Sequence, residues 1–374
     1  MGVYQIICRS LIGALLVANA AQAGDFFPGP PKLYDLSKVT GLQGAIIPLQ
    51  GNRSIQLKSF PGMETKIVFE DKFPRANWGH PASLKVVDMA GRVLDEKIVH
   101  SPPKFLSQAA KFPELKIPRP EKTKVSLKTD QRFFVKSPEK HFAVLINGNA
   151  SQRHWNDFAF LYRTLVEVYG YSKANIFVAD SYHQVELPDL DDDGKNDIEW
   201  GSTLAGIQGL FRHLGKTLTP DSELLTVVND HGEIKDGEAV LVVNDGEIRA
   251  GDFAKQLGAL PPKRAISVYQ QCFGGGFVRP SLGDYRVALS AATSEEFSWA
   301  TADFQFDEFL YHLTSALALQ THEGKPVAAD RNRDGKMSIQ EAFAYALAED
   351  STPESPLMES FANSGFARLF GLHF

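Results

Sequence analysis

From His141 onward the chain alternates short, unbroken apolar runs with longer stretches of helical periodicity, and few folds satisfy that pattern. Phe142-Ala143-Val144-Leu145-Ile146 precedes a helical pattern from Trp155 to Tyr169. A second run spans Asn175 to Ala179, and a second helical stretch spans Ser202 to Leu214. Leu224 to Val228, Ala265 to Tyr269 and Val287 to Leu289 complete the series. Runs without polar alternation are strands covered on both faces, and strands separated by helices pair in parallel. The expected fold class is α/β, a mostly parallel sheet flanked by helices, with its ligand beyond the carboxyl ends of the strands.

The preceding residues read differently. Between Ser54 and His100 the apolar residues alternate with period two (Ile55, Leu57, then Ile67, Phe69), and Leu84 to Val87 with Val93-Leu94 read as a hairpin turning at Ala90-Gly91. Residues 101–140 carry Pro102, Pro103, Pro113, Pro118 and Pro120 among many lysines, as a linker or strap does. Residues 1–23 have the pattern of an export signal: Arg9, an apolar run from Leu11 to Ala18, and Ala21-Gln22-Ala23 as a small-x-small cleavage site. That run is shorter than the ~20 residues that span a bilayer. The expected organisation is a signal peptide over 1–23 and a β-rich accessory region or propeptide with linker over 24–140. An α/β domain over 141–320 and a helical segment over 321–374 follow. The expected location is secreted or periplasmic, with no transmembrane segment.

Charge narrows the partners. The chain has 39 Lys and Arg against 45 Asp and Glu, a net −6 that does not attract phosphate backbones. The expected partner is a peptide or protein. Of the two cysteines, Cys8 falls in the export signal, so no disulfide framework is possible and Cys272 stands alone.

Three strand ends carry unusual polar residues: Asn229-Asp230-His231-Gly232, Gln270-Gln271-Cys272-Phe273-Gly274-Gly275-Gly276 and Ser290-Ala291-Ala292-Thr293-Ser294-Glu295. In a parallel sheet His231 and Cys272 emerge at one edge on neighbouring strands. A thiolate is a nucleophile, and a nearby imidazole favours it by charge or takes its proton. The tetrahedral intermediate needs donors for its oxyanion. The amide of Gly232, with no Cβ in the way, and the amide of Cys272 are the candidates. No GxxxxGK[ST] pattern is present, which weakens a phosphate-cradle reading of the glycine run.

Asp230-His231-Gly232 and Gln271-Cys272-x-Gly274 resemble the legumain branch of the caspase-like cysteine peptidases. Arg153-His154-Trp155-Asn156-Asp157 is similar to the Arg-His-x-x-Asp after the first strand of legumains, and Val168-Tyr169-Gly170-Tyr171 to the turn before their second strand. Ser290-Ala291-Ala292 with Ser294-Glu295 resembles the segment after their fifth strand, and Ala302-Asp303-Phe304 their Gly-Asp-Trp. The resemblance covers about residues 141–320. It implies a cysteine endopeptidase with Cys272 as nucleophile and His231 as acid/base. It also implies a specificity pocket of Arg153, Gln270 and Asp303, with Ser294 among the substrate-binding residues. Gln270 stands where the family has glutamate. An Arg and an Asp facing one amide satisfy both its carbonyl and its NH₂, so cleavage after Asn is expected. The lost carboxylate makes Asp more acceptable too. The same thioester also suits a peptide ligase, and a calcium-binding scaffold on a peptidase-like fold is the non-catalytic alternative.

Two acidic loops suggest calcium. Asp330 to Glu341 fits the twelve-residue EF-hand loop. Side-chain oxygens come from Asp330, Asn332, Asp334 and Ser338, a backbone carbonyl from Lys336, the sharp turn from Gly335 and a bidentate carboxylate from Glu341. A second loop offers Asp189, Asp191, Asp193 and Asp197 with Gly194 at the turn, but its twelfth residue is Trp200.

Overall fold

The structure is a computed structural model that describes residues 32–36, 46–49, 53–60, 62–71, 76, 82–99, 124–128, 137–148, 151–184, 187–262 and 264–360. The export-type segment 1–23 and the five prolines between 102 and 120 lie outside the described residues.

The N-terminal strands are β1 (Lys32–Asp35), β2 (Ile46–Leu49), β3 (Arg53–Gln56), β4 (Thr65–Asp71), β5 (Ala82–Asp88) and β6 (Val93–Val99). β1, β4, β5 and β6 form an antiparallel sheet in that order, and β2 pairs with β3. Ile67, Phe69, Leu84 and Val86 are buried in one cluster, as period-two alternation requires. Asp88 closes the β5–β6 turn: its Oδ1 accepts the N–H groups of Ala90 and Arg92, each at 2.9 Å, while Gly91 takes φ 82°. Residues 124–128 lie across the second domain. Val125 and Leu127 pack with Phe160 and Phe306, and Ser126 N donates to His322 O at 2.8 Å.

The second domain opens with β7 (His141–Asn147), α1 (Gln152–Arg163), β8 (Ile176–Asp180), β9 (Trp200–Gly201), α2 (Leu204–Thr217) and β10 (Glu223–Val228). An antiparallel excursion of β11 (Gly232–Lys235), β12 (Glu238–Val243) and β13 (Gly246–Arg249) follows, then α3 (Ala250–Gly258) and β14 (Arg264–Tyr269). α4 (Gly275–Val278), β15 (Arg286–Ser290), α5 (Glu308–Ala318), α6 (Ile339–Glu349) and β16 (Leu357–Ser360) complete it. The sheet order is β16-β15-β14-β10-β7-β8-β9, and every neighbouring pair is parallel except β15–β16. The expected α/β class with a mostly parallel sheet is what forms. Among the described residues, no helix is long and apolar enough to cross a membrane.

The unbroken apolar runs are explained by two-sided burial. Every residue of β7 is buried. Ala143 and Leu145 face a cluster with Trp155, Phe158, Phe309 and Leu313. Val144 and Ile146 face the opposite cluster with Leu210, Phe211, Phe253 and Leu257. The first helix begins earlier than its apolar pattern, at Gln152, and its last turn widens over Thr164–Val168, where Thr164 Oγ1 donates to Phe160 O at 2.8 Å. The excursion β11–β13 was not expected from the pattern, because β11 (GEIK) and β13 (GEIR) carry only one large apolar side chain each.

Leu145 lies at the centre of this two-sided core. Leu145→Ala removes buried methyl groups and leaves a cavity, so a loss of about 2–5 kcal/mol is expected, read as a lower urea midpoint with an unchanged slope.

Candidate active site

Three strands end at one level. Val228 of β10 lies opposite Ile146 of β7 and Tyr269 of β14. The next residues, Asn147, Asn229 and Gln270, are buried and polar. Buried polar groups must find partners. Asn147 Nδ2 donates to Asp180 Oδ2 at 2.8 Å, Asn229 Nδ2 to Asp157 Oδ2 at 2.8 Å, and Gln270 Oε1 accepts Leu310 N at 2.9 Å, within the first turn of α5.

Two residues beyond Asn229 and Gln270 lie His231 and Cys272. A Cβ on Gly232 would sit 1.9 Å from Cys272 O, so the chain leaving His231 runs directly against the backbone of Cys272. Only glycine permits that approach. The glycine run after the cysteine serves packing of the same kind: a Cβ would fall 2.5 Å from Ser290 Oγ at Gly274 and 2.6 Å from Ala239 Cβ at Gly276. Phe273 between them takes φ 59°, a left-handed conformation uncommon for a bulky side chain.

The Cys272 side chain is 1% exposed. Ser298 N donates to Sγ at 3.4 Å, and Sγ lies 3.9 Å from Ser298 O. Burial pushes the thiol up to about 12, against the pull of the Ser298 hydrogen bonds and the Arg153 charge. The resting group is a thiol.

A second imidazole stands beside the first. The rings of His154 and His231 meet edge to face, with centroids 5.5 Å apart. His154 Nδ1 lies 3.1 Å from Asn147 Oδ1, and Nε2 lies 3.3 Å from Asp307 Oδ2. Burial brings His154 down to about 4, against the attraction of Asp307, and Arg153 lowers it further. Arg153 Nε is 3.0 Å from Asp307 Oδ1. Asp307 N donates to both oxygens of Asp157, at 3.3 and 3.1 Å. Burial and the neighbouring Asp307 hold the Asp157 carboxyl well above the usual carboxylate range.

Of the expected specificity trio, Gln270 is buried just past the end of β14, Arg153 is half-buried near the start of α1, and Asp303 lies in the loop before α5. Asp303 is exposed, and its Oδ1 accepts Thr301 Oγ1 at 2.7 Å and Gln305 N at 3.0 Å, within its own loop. The acid beside Arg153 is Asp307, four residues on. Sequence reasoning missed it; the available signal was an Asp directly before an apolar helical stretch, which reads as an N-cap. Asp307 does occupy that position, yet its side chain makes no cap hydrogen bond. Ser294 is exposed.

The acidic loops share one internal pattern. Asp330 Oδ2 accepts Gly335 N at 3.0 Å, and Asp189 Oδ2 accepts Gly194 N at 2.8 Å. Asp334 Oδ1 accepts Lys336 N at 2.9 Å, and Asp193 Oδ1 accepts Lys195 N at 2.8 Å. Arg333 and Asp192 both take positive φ, 58° and 62°. Their surroundings differ. In the later loop Asp330 Oδ1 is buried without a hydrogen-bond partner, and Asn332 accepts Asp334 N at 2.7 Å. Glu341 Oε2 accepts Ser338 Oγ at 2.7 Å. In the earlier loop Asp189, Asp191 and Asp197 each offer an oxygen within 4.8 Å of the others. There Lys173 Nζ already pairs with Asp191, and with Asp193 at 2.8 Å. Asp197 is engaged by Tyr162 Oη at 2.9 Å and Leu190 N at 2.7 Å.

No protein-family model matches the chain, and no curated protein matches it.

His154 provides a direct check on these electrostatics. Nuclear magnetic resonance should show its ring titrating near pH 4 rather than near its ordinary value of 6.5. Between those values the unfolded chain binds the proton before the folded one, so this group's contribution to stability declines as pH falls through that window.

Proposed function

We propose that this protein is an exported cysteine peptidase of the legumain-like, caspase-like type, with Cys272 as nucleophile and His231 as acid/base. The observation that carries the reading is the contact of Gly232 with the Cys272 carbonyl, which joins the two strand exits. The resting group is a thiol, so its proton must leave as sulfur attacks. Sγ adds to the scissile carbonyl carbon while His231 takes the thiol proton. His231 then gives that proton to the leaving amine as the C–N bond breaks, and water hydrolyses the thioester. The amides of Gly232 and Cys272 are the proposed oxyanion donors.

Arg153 beside Asp307 supports the Asn or Asp preference in modified form. The guanidinium suits a side-chain carbonyl or carboxylate, and an acid near it suits an NH₂. Gln270 then acts through α5, which it ties to the sheet at Leu310 N. The burial of Sγ favours a second reading, a calcium-bound scaffold without catalytic activity.

The loop 330–341 is proposed to hold Ca²⁺. The buried, unpartnered Asp330 Oδ1 is the observation that fits a cation there. The ligands are Asp330, Asn332, Asp334, Ser338 and Glu341, with the Lys336 carbonyl, a set of hard oxygen donors. At Asp189, Asp191, Asp193 and Asp197 a calcium ion would compete with the Lys173 ammonium.

The peptidase reading is tested with a peptide library cut by the wild type and by Cys272→Ala. Cuts after Asn or Asp that vanish in the variant are expected; cuts only after basic residues would remove the specificity, and equal cutting by both chains would remove the nucleophile. For calcium, chelation should lower the melting temperature of the wild type, and Glu341→Gln should abolish most of that difference.

A further inference from the structure

We propose that Lys173 is the resident cation of the acidic loop 189–197: its ammonium stands where calcium stands in a loop of the EF-hand kind, and the loop closes without metal. The proposal goes beyond the peptidase reading, and it holds whether or not the loop 330–341 takes calcium.

Two loops with one turn geometry allow a comparison inside the molecule. Asp189, Asp191 and Asp193 stand in the first where Asp330, Asn332 and Asp334 stand in the second, ahead of Gly194 and Gly335. In the first loop Asp191 Oδ1 accepts Asp193 N at 3.3 Å, and Asp193 Oδ1 accepts Lys195 N at 2.8 Å. The turn leaves over Asp191 Oδ2 and Asp193 Oδ2. Lys173 Nζ pairs with both, the second at 2.8 Å. In the second loop Asp334 Oδ1 likewise accepts Lys336 N, but Asp330 Oδ1 is buried without a hydrogen-bond partner. The neighbouring Arg331 donates to Ala344 O at 3.2 Å instead. One loop thus holds an ammonium against the oxygens that its turn does not use, and the other leaves such an oxygen orphaned.

Charge and burial explain the difference. The first loop has Asp191 where the second has the neutral Asn332, and the Asp191 side chain is only 7% exposed. A carboxylate so enclosed needs a counter-charge. Lys173 lies in the turn just before β8 and the loop lies after it, so the fold itself delivers the ammonium. A tethered group competes with a free ion at a high effective concentration. Its hydrogen bond leads the interactions that hold the Asp193 carboxyl down to about 2. The other acids are provided for as well. Arg163 Nη2 donates to Asp192 Oδ2 at 2.6 Å, and Asp197 accepts Tyr162 Oη and Leu190 N. Calcium, by contrast, lacks its closing bidentate carboxylate here, since Trp200 holds that place. Take away the ammonium, and Asp189, Asp191 and Asp197 still offer oxygens within 4.8 Å of one another. That spacing suits a calcium ion, whose ligands lie at about 2.3–2.6 Å. The lysine therefore occupies a place that its removal would open to metal.

The test titrates calcium alone into the full chain by calorimetry, in Glu341→Gln and in the same chain carrying Lys173→Met. The loop 330–341 then contributes equally to both. Methionine keeps most of the lysine stem and removes its charge. The double variant should take up about one further equivalent of calcium, about ten-fold or more tightly than its parent binds the ion. Equal calcium binding by the two chains would overturn the proposal. Should the double variant melt early in chelator, calcium is expected to restore its melting temperature; an early melt that calcium leaves unchanged counts against the proposal equally. A measurement on the wild type needs no variant. The nitrogen-15 resonance of Lys173 Nζ should stay in place as calcium is added, and a shift marking release of the ammonium would sink the idea. A wild type that binds no calcium at 330–341 removes that reading alone and leaves this one standing.

Discussion

Parallel pairing in a common register is the constraint on which the rest depends. Because β7, β10 and β14 end together, their next residues are forced into one buried layer at the edge of the sheet. Leaving such groups unpaired would cost roughly 1–3 kcal/mol each. Each has at least one outward partner, Asn147 with Asp180, Asn229 with Asp157 and Gln270 with the start of α5, while Asn229 Oδ1 and Gln270 Nε2 are buried without a hydrogen-bond partner. The layer also fixes what surrounds it. Asp157 receives the N–H of Asp307, and Asp307 in turn faces Arg153 and His154. The position of the second imidazole beside His231 thus follows from satisfying polar groups that the sheet itself cannot accommodate.

The same burial sets the electrostatics of the sulfur. Desolvation favours the neutral thiol, and it outweighs the opposing influence of Arg153 and of the Ser298 hydrogen bonds. His154 responds to the same environment from the other side of the titration scale, since the form that burial favours is the uncharged ring. Burial therefore favours the uncharged form of both groups.

How far the chain could be read in advance depended on the range of the forces involved. The sheet strands were legible because two-sided burial leaves unbroken apolar runs, and the N-terminal hairpin because one-sided burial leaves alternation. The turn geometry shared by 189–194 and 330–335 was legible because it is local: Asp, Gly and Asn at fixed offsets close their own hydrogen bonds. The approach of the chain at Gly232 to the backbone of Cys272 fits strands taken as parallel neighbours. Long-range partners were not. Asp307 resembles any helix cap until the fold turns it toward Arg153, and the sequence gives no sign of the hydrogen bonds that Asp303 accepts from Thr301 and Gln305. Lys173 carries no sign in the sequence of its contact with Asp191 and Asp193, some twenty residues away. The excursion β11–β13 escaped notice because β11 and β13 are four residues long with one large apolar side chain each.

Trp299 is held from two distant parts of the sequence, by an antiparallel bridge to Ala76 and by Glu354. A ribosome releases residue 354 long after residue 76, so no partly made chain can possess both contacts. Assembly of this corner is therefore a late event, and Cys272 is synthesised before the framework that encloses it is complete.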